Sequence, residues 1–503
     1  MSTWLIKASL LRKNKISKPT GVVENIKIKL LYGASFAFIL LNVLFIANEI
    51  YWFMALPLAL AVILLFFFSL DKLLLAIVFI TPFTFKYRNE AMGFTVDIPT
   101  EPIIVGIMCL FFLKLFYEQR YDMRIIKHPV TIILIINLLW MFVTSVSSEI
   151  PVVSFKYFIS RLWFVVTFYF VLIQLFKQPE KIRLFLWLFA TSLVIIIIYI
   201  TIQHSTYGFE RQVGTWVVRP FFNDHTNYSA VLALVAPVFI IKAFIGEYSL
   251  LRKRVALIFF IVFVVGIIFS YSRAAWVSIA VSFGAFWILA LKIDYKLIFA
   301  GIILLVGTAF IFQDDIIMQL ERNRQDSSGD FREHAQSITN ITSDASNLER
   351  INRWRAAVRM FEERPVLGWG PGTYQMVYAP FQLSQDHTII TTNFGDLGNA
   401  HSEYLGPLAE SGVLGMLSFM ALALWIIVTG VQNFKRAPSR EHRWLSMGIT
   451  LGYITYFIHG FLNNFLDTDK ASVPFWGFMA ILVAIDIYHT PRRQKKSKDM
   501  PVS

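Results

Sequence analysis

The feature that most constrains this chain is the recurrence of apolar stretches of about twenty residues along most of its length. At ~1.5 Å per residue, a helix of that size crosses the ~30 Å hydrocarbon core of a bilayer. Residues 226–245, for example, contain one charged side chain, Lys242. Reading such windows between charged or Gly/Pro-rich breaks places spans at 31–48, 51–69, 72–85, 100–117, 130–147, 157–176, 182–202, 226–245, 255–270, 274–291, 296–312, 412–431, 446–465 and 473–489. The second and third are parted only by Leu70 and Asp71, and the third contains Pro82, so the two form either one broken hairpin or two crossings. Only 16% of residues are charged and 56% are hydrophobic, against roughly a quarter charged in soluble domains. A soluble enzyme is excluded. The expected fold is all-α, a polytopic integral membrane protein of about 12 to 14 transmembrane helices.

The 46 basic and 33 acidic residues leave a net charge of +13, which in a membrane protein must first be tested as a topology signal. Lys and Arg do fall in alternate loops. With the N-terminus in the cytoplasm, 30 of the 46 lie on that side, eight in short loops on the other side, and eight in one long loop, 313–411. The chain then reads as a basic cytoplasmic N-terminus (1–30), a transmembrane region of about eleven spans (31–312), a long, partly helical periplasmic loop (313–411), three further spans (412–489) and a basic cytoplasmic tail (490–503). The surplus charge is a topology device, and no nucleic-acid partner is expected. The first 29 residues carry seven basic side chains without an apolar core, so they do not form a removable signal peptide. The single cysteine, Cys109, lies in an apolar run and allows no intramolecular disulfide.

The long loop changes character halfway. Its second half places Ile351, Trp354, Val358 and Phe361 at helical spacing over 348–363, with Pro365 closing the helix and a Gly-rich turn, Leu367-Gly368-Trp369-Gly370-Pro371-Gly372, following. All eight of its basic residues are Arg, the side chain whose planar fork suits bidentate phosphate contacts. An ordinary solvated helix face accounts equally well for Arg353, Arg355, Arg359 and Arg364. Arg273, in a tight turn between two spans, must reach the interface or a polar cavity. Arg211 and Arg219 belong to the loop 203–226, whose polar end, Asn223-Asp224-His225-Thr226-Asn227, runs straight into a span. His401 stands where the long loop meets the next span; histidine takes a proton near neutral pH, and Glu403 is placed to orient it. The histidines are scattered and no cysteine pair occurs, so no metal site is expected.

These residues resemble a known family. Leu348-Glu349-Arg350 through Trp354, Pro365-Val366-Leu367-Gly368-Trp369-Gly370, His401-Ser402-Glu403-Tyr404-Leu405 and Glu410-Ser411-Gly412-Val413-Leu414-Gly415 are similar to the C-terminal signature of the O-antigen ligase and polymerase superfamily. Ser402 stands where that pattern has Asn. The likeness extends over about residues 205–490, taking in the Ser272-Arg273 turn and the Asn223 to Asn227 entrance. It implies a metal-independent, inverting glycosyltransferase of the GT-C kind, with no cofactor, in a bacterial inner membrane. Its site would face the periplasm and both termini the cytoplasm. The donor would be a polyprenyl-diphosphate-linked glycan. Arg219, Arg273, Arg350 and Arg211 would clamp the diphosphate, and His401 with Glu403 would deprotonate the acceptor. Trp369, Tyr374 and Tyr378 would stack on sugars or pack the loop.

The function so implied is ligation of a preassembled polysaccharide to lipid A-core. The nearest alternative is a polymerase joining repeat units of O-antigen, capsule or exopolysaccharide to a growing glycan on the same carrier. Transfer to protein hydroxyls is less favoured, and so is flipping of a lipid-linked oligosaccharide, against which the halves of the chain do not repeat and the candidate charges sit at span ends.

Overall fold

The computed structural model describes residues 21–48, 54, 56–89, 94–245, 249–291, 293, 301, 304, 307–308, 345–384, 391 and 398–490. The chain divides into two units, Met1–Leu73 and Leu74–Ser503. The first holds α1 (Gly21–Ala47) and α2 (Leu56–Phe68), and the division falls inside α3 (Leu70–Ile80). With 13 and 11 residues, α2 and α3 are each shorter than the ~20 residues of a full crossing.

The second unit continues with a β-hairpin that hydropathy did not suggest. The stretch 72–85, expected as a short span, ends as helix at Ile80, where Thr81-Pro82-Phe83 forms a 3-10 turn. Strands β1 (Phe85–Asn89) and β2 (Phe94–Ile98) then pair antiparallel, from Phe85 opposite Ile98 to Asn89 opposite Phe94. Their sequences alternate in period two, a signal short enough to be masked by the apolar helices around it.

The helices that follow are α4 (Thr100–Glu118), α5 (Pro129–Val146), α6 (Pro151–Leu175), α7 (Pro179–Ser205), α8 (His225–Phe244), α9 (Leu250–Phe269), α10 (Arg273–Ala290), α11 (Ala345–Glu363), α12 (Leu405–Arg436), α13 (Arg440–His459) and α14 (Asp469–His489). Among the described residues, eight helices are long and apolar enough to cross a membrane. The protein is thus an all-α polytopic membrane protein. Thirteen of the fourteen expected stretches coincide with helices, and the remaining one, 296–312, lies almost entirely outside the described residues. Three consecutive helices open on proline, Pro129, Pro151 and Pro179, where the missing N–H leaves no bond unmade. A π-helical segment, Val166–Val171, interrupts α6.

The core sits where α8, α13 and α14 meet, and small residues set the spacing. A Cβ at Gly452 would fall 2.1 Å from the Leu234 carbonyl oxygen, and one at Gly477 2.3 Å from the Phe185 ring. Backbones this close give a dispersion-packed interface, the kind that holds helices together in lipid.

The second half of the long loop folds as a small body on the start of α12. Ala357, Met360, Trp369, Tyr374, Tyr378, Ala400 and Ala409 form its core. The buried face of α11 is therefore Glu349, Asn352, Arg353, Ala356, Ala357 and Met360. The apolar stripe expected there is turned elsewhere, and Val358 is exposed. The Gly-rich turn clasps α12 through its backbone: Trp369 N–H donates to Ala409 O (3.1 Å), Gly370 N–H to Glu410 O (2.7 Å), and Val413 N–H to Pro365 O (3.0 Å). The expected span 412–431 begins seven residues early, at Leu405, and bends at Gly412 (φ 67°, ψ −169°).

Candidate functional site

A cavity of about 1140 Å³ opens among α5, α6, α12, α14 and the loops 219–224, 371–375, 399–403 and 464–467. Of the six candidate residues, His401, Glu403 and Arg219 line it. His401 has left-handed backbone (φ 47°) and its N–H donates to Asn399 Oδ1 at 3.0 Å. Its ring Nε2 lies 3.2 Å from Arg353 Nη1. A guanidinium only donates, so Nε2 accepts and the proton of the neutral ring sits on Nδ1. Burial, with the charges of Arg353 and Arg350 nearby, holds the imidazole down at about 3.

Arg353 is itself buried and fixed. Its Nε pairs with Glu349 Oε1 at 2.8 Å, Nη1 also donates to Asn399 O at 3.2 Å, and the Tyr378 ring lies 5.9 Å from the guanidinium. Glu403 ties two loops together: its Oε1 accepts from the Tyr456 hydroxyl (2.7 Å) and from the N–H groups of Phe465 (2.7 Å) and Leu466 (3.1 Å). Burial pushes its carboxyl up, opposed by Arg161 and by these donors.

Arg219 is exposed, with Nε 3.5 Å from Asn223 O, and a cis peptide joins it to Pro220. The polar entrance beyond it includes a helix cap: Asp224 Oδ1 accepts from the N–H groups of Thr226 and Asn227, both at 2.8 Å, and from the Thr226 hydroxyl. Arg273 opens α10 and Arg211 opens the short helix Arg211–Trp216; both are half-buried and do not line the cavity. Their loops are joined by the Tyr271 hydroxyl, which donates to Phe209 O at 2.7 Å. Arg350 also lies outside the lining, although its charge reaches His401. Trp369, Tyr374 and Tyr378 pack the loop core, the two tyrosines stacked at 5.1 Å.

Sequence reasoning missed Tyr157, Arg161, Glu410, Asp467 and Trp476, all of which line the cavity. Arg161 carried a signal: it falls inside the apolar stretch 157–176, where a charge faces the protein interior or water. It is 9% exposed, its Nη2 donates to the Tyr157 hydroxyl at 2.8 Å, and its guanidinium lies 5.5 Å from the Tyr157 ring and 5.9 Å from that of Trp476.

The fold and cavity define a polytopic helical membrane protein whose late loop, seated on the next span, walls a chamber of Arg, His and carboxyl groups. Residues 257–420 match the sequence model of the family described as O-antigen ligase, a likeness that supports a ligase- or polymerase-type function in general terms. No curated protein matches the chain.

Proposed function

We propose that the protein transfers a polyprenyl-diphosphate-linked polysaccharide to a hydroxyl of lipid A-core at the periplasmic membrane face, with inversion at the anomeric carbon. The acceptor oxygen attacks C1, the C1–oxygen bond to the diphosphate breaks, and the acceptor proton passes to His401. Arg219, assisted by Arg350, Arg273 and Arg211, meets the charge that develops on the leaving diphosphate.

The observation that carries this reading is the contact between Nε2 of His401, which lines the cavity, and the buried Arg353. While Arg353 donates to Nε2, His401 is neutral and a weak base. An incoming diphosphate offsets the positive field of Arg353 and Arg350, which raises the imidazole toward its ordinary range. The base is then switched on only when donor is present, which suppresses idle proton transfer. Glu403 acts behind His401 by holding the loop that presents it.

Tracing the label tests the reading. Purified protein in liposomes is given radiolabelled lipid-linked glycan together with lipid A-core. The proposal predicts label on lipid A-core; label accumulating in a lengthening lipid-linked glycan would make the protein a polymerase instead. Arg219→Ala should weaken donor turnover by about tenfold or more, the scale of one lost charge-assisted contact.

A further inference from the structure

The carboxyl groups of Asp224, Glu403, Glu410 and Asp467 line the cavity alongside the guanidinium groups of Arg161 and Arg219. Beside the cations that meet a diphosphate, four carboxyl groups bring hydrogen-bond acceptors that a diphosphate itself does not use. They suit a ligand that offers hydrogen-bond donors without charge. Two polar groups of cavity-lining residues are unfinished in a matching way. Trp476 Nε1, a donor on a side chain only 2% exposed, and Asn464 Oδ1, an acceptor, both belong to cavity-lining residues and have no hydrogen-bond partner among the described residues. A hydroxyl is donor and acceptor at once, so a ligand carrying several hydroxyls completes both. The charges of Glu403, Asp467 and Glu410 act with that of Arg161, and the rings of Tyr157 and Trp476 flank its guanidinium. Carboxyl oxygens to accept from hydroxyls, an Arg to donate to ring and linkage oxygens, and aromatic faces for the C–H side of a ring together describe a carbohydrate site.

We propose that Tyr157, Arg161, Asn464, Asp467 and Trp476 form a binding subsite for an uncharged pyranose, recognised through its hydroxyls. This rests on the reading of the protein as a glycan transferase. The sugar is either the one bearing the attacking hydroxyl or the first sugar of the lipid-linked donor, and the same chemistry holds either.

The test uses Arg161→Gln and Trp476→Phe, the second removing the N–H and part of the indole while keeping an aromatic face in place. Glycan transfer in liposomes is measured with donor and acceptor varied separately. The expected result is a KM raised about three- to tenfold for one of the two, as one or two lost hydrogen bonds produce, with kcat little changed. A raised acceptor KM assigns the subsite to the acceptor sugar, and a raised donor KM assigns it to the donor. Unchanged KM values for both substrates in both variants overturn the subsite. A second readout needs no turnover: tryptophan fluorescence of the protein in nanodiscs, titrated with methyl glucoside and with glucose 6-phosphate. Methyl glucoside should bind more tightly than glucose 6-phosphate, and less tightly in either variant. Sugar binding that both variants leave unaltered refutes the subsite. If the wild-type protein transfers no glycan while methyl glucoside binding still depends on Arg161, the transferase reading fails and the subsite stands.

Discussion

At the scale of single residues, His401 governs the pH behaviour of the site. Its imidazole is held at about 3 in the folded protein, below the ~6.5 of an unfolded chain. The unfolded state therefore binds the extra proton first. The stability that His401 contributes is complete above ~6.5 and is lost as pH falls toward about 3. Thermal unfolding followed across that window should show a falling melting temperature in the wild type and a shallower slope in His401→Gln, which has no proton to gain. Arg353→Gln removes one of the causes of the depression, so the His401 resonance in selectively labelled protein should titrate at higher pH than in the wild type. A titration that does not move would mean that burial and Arg350 set it without Arg353. Much of this residue-level picture was legible in the sequence: His401, Glu403 and Arg219 were identifiable as chemistry-bearing types beside span ends. The partner that matters most was not. Arg353 looked like one of several Arg residues on a solvated helix, because linear spacing does not reveal that Asn399 and His401 fold back over it.

At the scale of elements, the two glycine-rich pieces of the family pattern act as a joint. Gly412 has φ 67° and ψ −169°, and a Cβ there would lie 2.0 Å from the Val366 carbonyl oxygen. The conformation alone costs a non-glycine residue ~1–3 kcal/mol, and the clash adds to it. Gly412→Ala should thus unseat the loop body from α12 and lower both the yield of folded, monodisperse protein and its melting temperature, read by fluorescence-detected size exclusion. A variant as stable as the wild type would contradict the joint. The helices themselves were legible from apolar length, since each span must satisfy its backbone internally. Their ends were less so. The early start at Leu405 places Gly406 and Glu410 against the cavity, and polar residues preceding a bend carry no hydropathy signal. The hairpin was hidden for the opposite reason, being short strands beside long apolar helices.

At the scale of the whole molecule, charge asymmetry sets sidedness. On the fourteen-span reading of the sequence thirty of the 46 basic residues share one side, and the positive-inside rule predicts that this side is the cytoplasm. With Cys109 replaced by alanine, a single cysteine at Glu210 should react with an impermeant maleimide in intact cells, while one at Ser249 should react only after the membrane is opened. The reverse pattern would place the cavity on the cytoplasmic face and remove lipid A-core as acceptor. Arg161 shows what a whole-molecule view adds to a residue count. Counted along the chain it was one more basic residue outside; in the fold it is a buried charge between Tyr157 and Trp476.

If His401 takes the acceptor proton in a transfer from a diphosphate-linked donor, its loss must slow the transfer step itself. The most direct measurement is the initial rate of glycan transfer to lipid A-core in liposomes, wild type beside His401→Ala, with donor saturating and folded protein matched by size exclusion. Loss of a general base predicts a rate lower by about 10²–10⁴-fold. A His401→Ala rate within twofold of the wild type would contradict it.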